Sequence, residues 1–216
     1  MIFKKHAHSW FVFGAAASLA FCASFPAMAA RALPNPTPQE IYFLQQQYAQ
    51  TTPDLTALAK TFLNVESANQ FQQPALIQQV VAQLKQQEAS VQGVNTITLN
   101  LNSWLPQYNS QYNEYDFSIS DGTLISFSAF DQNTQICLTN GTTAQTWSLP
   151  PAMAEQVLNE VNNNGVILAL TLQLEPSPPS VDNQPSILNV KILSYDVLTS
   201  NGVKIGHVTV KDNGNS

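Results

Sequence analysis

Four aromatic side chains, Trp104, Tyr108, Tyr112 and Tyr115, lie in and around the amide-rich run PQYNSQYN at residues 106–113. Flat rings interleaved with Asn and Gln make the kind of surface that stacks on sugars or peptides while the amides hydrogen bond to them. These four are the candidate binding residues. The competing reading is that Trp104 and Tyr115, which flank strands, finish the core.

Carboxylates are the remaining material for catalysis. Glu114 and Asp116 share one face of a strand pattern, Asp121 follows in a turn and Asp131 ends the returning arm. Two acids in one cleft would serve as a general acid and base, or as a weak calcium site. Each also has a plain role: Asp116 falls on a wet face, and turns call for Asp121 and Asp131. Glu155 and Glu160 fall on ordinary solvated positions of a helix. His207 and Cys137 are too far apart in sequence and too few to suggest a zinc site. No GxSxG, HExxH, GxxxxGK or GxGxxG occurs, so neither a metal nor a cofactor is expected. Without a Ser or Cys motif beside it, His207 reads as a strand-edge residue.

At the N-terminus Lys4 and Lys5 precede an apolar run over residues 10–25, and Ala27-Met28-Ala29 offers a small-x-small cleavage site. That is the pattern of a bacterial secretory signal peptide over residues 1–29, its apolar run shorter than a membrane span. Its removal takes Cys22 away and leaves Cys137 as a lone cysteine, expected to be a small buried hydrophobe in a strand. It also removes two lysines from a chain whose formal net charge is already −6. So acidic a chain, with no basic cluster, is a poor partner for nucleic acid or an anionic membrane face. Charged residues make up only 10% of the sequence, so solubility rests on neutral amides.

The elements that must position these residues follow from period and punctuation. Residues 30–92 read as a helical region, opening with a polar leader at 31–35. Thr37-Pro38-Gln39-Glu40 has the form of a capping box, followed by Ile41, Leu44 and Tyr48 at helical spacing. Thr52-Pro53-Asp54 starts a second short amphipathic helix, residues 64–73 make a connector, and Pro74 opens the longest helix, closed by Gly93. Residues 93–211 then change to period two. Ile97, Leu99 and Leu101 alternate with polar residues. Tyr115, Phe117 and Ile119 do the same, and Asp121-Gly122 predicts a hairpin returning through residues 123–130. A turn at 131–134, a strand at 135–139, a hairpin at Asn140-Gly141 and an inserted helix at 150–164 come next, the helix facing Met153, Val157 and Val161 inward.

The run GVILALTLQLEP at residues 165–176 predicts the central strand, with Val166, Leu168, Leu170, Leu172 and Leu174 on one face and Ile167 and Ala169 on the other, so that its start is expected to be buried on both faces. Residues 175–185 are proline-rich and read as an exposed loop. In the last hairpin the inward face switches phase, in one arm after Ile192 and in the other around Gly206, which predicts a β-bulge and a coiled sheet. Residues 212–216 form a tail. The fold class expected is α+β: N-terminal helices, then a mostly antiparallel, coiled sheet of about seven strands with one inserted helix.

The sequence Leu149-Pro150-Pro151, with Ala154 and the apolar strand from Val166, resembles a bacterial periplasmic domain family of unknown function. The resemblance spans roughly residues 115–210, leaves the N-terminal helices outside, and implies an extracytoplasmic α+β domain with no assigned activity. The expectation is a non-enzymatic exported protein, a periplasmic binding or interaction module serving the envelope or secretion, with an envelope protein or a glycan as partner. Two rivals are a hydrolase of envelope polymers using the acids from Glu114 to Asp131, and a carrier of an apolar ligand in a cavity lined by Leu168, Leu170, Val190 and Ile192. Cleavage after Ala29 is directly checkable: Edman sequencing of the exported protein should begin Ala30-Arg31-Ala32, and an intact Met1 would contradict it.

Overall fold

The computed structural model describes residues 31–161, 165–181 and 184–211. The expected signal peptide, most of the helix stop before Gly165 and the C-terminal tail lie outside the described residues. In chain order the elements are β1 (Arg31–Pro34), α1 (Pro38–Tyr48), α2 (Leu55–Lys60), α3 (Leu63–Glu66) and α4 (Gln73–Ser90). Then follow β2 (Val94–Trp104), β3 (Glu114–Asp116), β4 (Leu124–Ala129), β5 (Gln132–Leu138), α5 (Gly141–Ala144) and β6 (Thr146–Ser148). The chain closes with α6 (Pro151–Glu160), β7 (Gly165–Leu174), β8 (Ser186–Thr199) and β9 (Lys204–Thr209).

The class is α+β as expected, with a seven-stranded sheet in the order β1-β2-β7-β8-β5-β4 and β9 also paired to β8. It is mixed: β1 runs parallel to β2 and β5 parallel to β8, while the other pairs are antiparallel. β3 and β6 form a separate two-stranded sheet. The large sheet coils without closing into a barrel.

Local signals place most helix ends. The Thr37 hydroxyl accepts from the Glu40 amide at 3.3 Å, and the Glu40 carboxylate accepts from the Thr37 amide at 2.7 Å, completing the capping box of α1. Asp54 caps α2 by accepting from the amides of Thr56 and Ala57, each at 3.0 Å. Gly93, at φ +71°, takes the left-handed turn after α4. The expected connector after α2 contains the single helical turn α3.

Other expectations are corrected. The polar leader is strand β1, whose partner β2 lies beyond four helices, so no local pattern announces it. α1 is not amphipathic: Ile41 through Gln46 are consecutive and all buried, because the helix is wedged between α4 and strands β4, β5 and β8. Gln45 is satisfied inside by donating to the Pro178 carbonyl at 3.2 Å, and the Gln46 amide donates to the Gln45 side-chain oxygen at 2.9 Å. The proline-rich loop is thus tied down at one face, with Ser177 donating its amide to the Tyr48 carbonyl at 3.1 Å.

Asp121-Gly122 does turn, with Gly122 at φ +80°, but β3 pairs with β6 and not with β4. The hairpin is β4–β5, reversed through Phe130 and Asp131, both at positive φ as a primed turn requires. Asn140-Gly141 opens α5 and makes no hairpin. A Cβ at Gly141 would overlap the Ser120 backbone, so the glycine permits a close crossing of two chain segments. On α6 Val157, Val161 and Ala154 face inward, whereas Met153 is 51% exposed.

The phase switch in the last hairpin is a paired irregularity. In β8 the pairing with β7 passes from Ile192 to Ser194, skipping Leu193, and in β9 the pairing with β8 skips Ile205. The bulge keeps Tyr195 and Val197 on the same inner face as Ile192, Val190 and Leu188, all buried beside the even-numbered residues of β7. One edge of β8 changes partner at this point, from β5 to β9. The Asn140 side chain fills the gap, donating to the Ile192 carbonyl at 2.9 Å and accepting from the Ile192 amide at 2.7 Å.

Two substitutions test this framework. Asn140→Ala leaves both Ile192 groups without partners and should cost about 1–3 kcal/mol, seen as a lower urea midpoint at unchanged slope. Gly206→Ala places a methyl into the Trp147 indole and should cost about 1–3 kcal/mol by overpacking. A wild-type midpoint in either variant would contradict the role given to that residue.

Candidate functional site

The four aromatic residues part company in the fold. Tyr115, at 2% exposure, belongs to the core: its ring packs against Tyr108 and Trp147 at centroid distances of 5.2 and 5.5 Å, and its hydroxyl donates to the Ala154 carbonyl at 3.0 Å. Burial raises its pKa above the ordinary tyrosine value, with Tyr108 adding to the shift. Tyr108 is half-buried and ties its loop to the strand end of β6 by donating to the Leu149 carbonyl at 2.7 Å. Tyr112 is exposed on the loop, and no ring contact among the described residues joins it or Trp104 to the other two.

Trp104 is different. It ends β2, directly opposite Gly165 at the start of β7, and stands 72% exposed. Among the described residues, a Cβ built on Gly165 would meet nothing within 4 Å, which leaves room beside the indole. A hollow of about 290 Å³ results, lined by Asn102, Ser103, Trp104, Gly165, Ile167 and Ser200 among others. Strand alternation puts Asn100, Asn102 and Trp104 together on the outer face, opposite the packed one. The indole is therefore presented by a rigid ladder and not by the loop.

A second cluster lies further across the same face, on the last two strands. Asp196 of β8 accepts from Lys204 at 2.7 Å and lies 2.6 Å from Nδ1 of His207, whose Nε2 is 3.2 Å from the Thr209 hydroxyl. The order Asp, His, Thr has the form of a proton relay. Its setting does not serve one: His207 and Thr209 are exposed, and Lys204 competes for the same Asp196 oxygen. Cross-strand neighbours on a wet face make this a solvated charge cluster. The Lys204 hydrogen bond, followed by that of His207, holds the Asp196 carboxyl below its ordinary range despite partial desolvation.

The acids of the hydrolase reading do not gather into a desolvated pair. Asp116, Asp121 and Asp131 are exposed and Glu114 is half-buried, and Asp121 is engaged in accepting from the Thr142 amide at 2.9 Å at the start of α5. Among the described residues no group of three or more His, Cys, Asp or Glu is placed to hold a metal. The carrier reading lacks its cavity: Leu168, Leu170, Val190 and Ile192 are each 0% exposed, so no water-sized void touches them. Cys137 is half-buried, not fully buried, because it projects from the outer face of β5 beside Leu124 and Asn189.

One feature had no sequence signal: a groove of about 630 Å³ between α2 and α4, floored by Ile77 and Val81 and rimmed by Gln73, Gln78 and Lys85. Its polar rim consists of long, mobile side chains, whereas the Trp104 hollow has short groups fixed on strands. No helix among the described residues is long and apolar enough to cross a membrane. No protein-family model matches the chain, and no curated protein or solved structure matches it either.

The Asp196 cluster predicts a pH effect of definite sign. A carboxyl held below its unfolded value contributes stability that is present above about pH 3.8 and is lost as pH falls through the depressed folded value. With these side chains partly solvated, the contribution is below about 1 kcal/mol. Asp196→Asn should lower the melting temperature slightly at pH 6, and the difference from wild type should shrink progressively as pH falls below about 3.8. A difference that persists unchanged into acid would refute the ionic origin.

Proposed function

We propose that the chain is an exported bacterial protein that acts without catalysis of its own, as a periplasmic binding or interaction module in an envelope or secretion process. The observation that carries this reading is Trp104, a large rigid ring held exposed on a strand above an open glycine position. The other Trp and Tyr side chains borne on strands, Tyr115, Trp147 and Tyr195, are buried, and the exposed rings of Phe71 and Tyr112 sit in turns, so an indole left in water at a fixed strand position is the departure that calls for a ligand.

Export is supported by the order of residues 1–29. β1 spans Arg31–Pro34, so cleavage after Ala29 would leave every described strand whole. The absence of a desolvated acid pair from the Glu114 to Asp131 region favours binding over hydrolysis.

The test is made in the native host, with a photoreactive phenylalanine analogue at position 104 in the full-length chain. The processed protein should fractionate with the periplasm and yield a discrete crosslinked species on irradiation. The same analogue at the exposed position Met153 on α6 should yield none. Retention in the cytoplasm would overturn the export half of the reading, and identical labelling from both positions the binding half.

A further inference from the structure

We infer that the Trp104 hollow is a subsite for a neutral saccharide, an inference that rests on the reading of this hollow as the binding site. Four observations narrow the ligand class. First, the named lining residues carry no charge, and the cation on the neighbouring row of that face, Lys204, is already neutralised by Asp196 at 2.7 Å. With an acidic chain around it, the hollow offers an anionic ligand nothing.

Second, it offers a short amide and a hydroxyl with free capacity: among the described residues no hydrogen bond engages the side chain of Asn102 or Ser200. Amide and hydroxyl pairs match the donor and acceptor sets of sugar hydroxyls. Third, the open position over Gly165 lets a flat ring slide along the indole, where the C–H face of a pyranose meets the negative π face.

Fourth, a peptide lying over the sheet face is poorly served, the one open ladder nearby being the β2 edge beyond Thr98 among the described residues. Strand β7 is paired on both sides through this stretch, Ile167 facing Asn102 on one flank and Leu198 on the other. A peptide laid over the sheet face would bury its backbone amides against side chains, with no ladder to receive them. Along β2 the outer face continues from Trp104 to Asn102 and Asn100, both exposed, with amides repeating about every 7 Å. That line extends the subsite into a track for an oligosaccharide.

The experiment uses the processed chain, residues 30–216, titrated with neutral chito-, cello- and malto-oligosaccharides and with oligogalacturonate as the anionic control. Trp104 is the exposed indole and Trp147 the buried one, so a ligand-induced blue shift reports the hollow while the Trp147 emission reports the fold. At least one neutral series should give a saturable shift. Trp104→Ala should weaken it tenfold or more, and Trp104→Phe should retain part of the affinity. Gly165→Val is the decisive variant: it fills the open position at a strand-compatible backbone, and should abolish binding while leaving the urea midpoint within error. Binding retained in Gly165→Val, equal binding of oligogalacturonate, or no shift with any neutral series each overturns the saccharide. If no sugar binds while the crosslinker at position 104 captures a specific protein, the binding module stands and its ligand is a protein. If both are silent, the two readings fall together.

Discussion

The hydrogen-bonding demand of β8 is the constraint on which the rest of the structure depends. It is the longest strand, Ser186–Thr199, and lies inside the sheet, so both rows of its backbone groups need partners. One row is met by β7 from Val190 to Thr199, and at Asn189 by the Glu175 amide and the Ser177 hydroxyl. The other is met in succession by β5, by the Asn140 side chain and by β9. Val210 closes the sequence, its amide donating to the Leu193 carbonyl at 2.9 Å. The change from a parallel to an antiparallel neighbour on one edge is possible because an asparagine amide reproduces one peptide unit where neither strand reaches.

That succession brings two different lids onto one apolar surface. Over the first half of β8 lies α1, whose Tyr42 and Phe43 meet Phe130 of the β4–β5 turn edge-on at 5.2 and 5.8 Å. Over the second half lie β3, α5 and β6. There Phe117 meets Tyr195 edge-on at 6.0 Å, and the Tyr195 hydroxyl donates to the Ala144 carbonyl at 2.9 Å. Burial, with Asp116 nearby, pushes the Tyr195 pKa upward, as expected of a phenol committed to a donor role in the core. Trp147 completes this lid by resting on Gly206. The bulge at Leu193 holds both halves of the strand to one inner face, so a single core serves both lids.

With the inner face filled, recognition is left to the outer one. Coiling brings the inner sides of β2 and β4 close, leaving a shallow seam of about 160 Å³ between Leu99, Leu101, Ile125 and Phe127, far from an enclosed ligand cavity. The outer face mixes Asn, Thr and Ser with a few apolar residues such as Ile167, and Asp196, Lys204 and His207 are paired among themselves on the last two strands. Trp104 stands out because its cross-strand neighbour has no side chain. The same pairing that makes the sheet thus makes the hollow.

Much of this was legible in the residues. The capping box at Thr37, the packed face of β7 from Val166 to Leu174, the turn at Asp121-Gly122 and the phase slip of the last hairpin follow from local period and punctuation, although the other face of β7 at Ile167 and Ala169 is only half-buried where burial on both faces was expected. Alternation also assigned Tyr115, Phe117 and Ile119 to an inner face, yet it could not name the strand that β3 joins. An alternating pattern specifies which side is dry and is silent about the neighbour. For the same reason Arg31–Pro34 looked like a leader, and α1 looked one-sided although a second layer covers it. In the candidate site the sequence supplied four aromatics near one loop. Only the tertiary structure separated Tyr115, sealed against Trp147, from Trp104, left open beside Gly165. Exposure of a ring is decided by what the rest of the chain brings within van der Waals reach of it, and those neighbours come from elements far apart in the sequence.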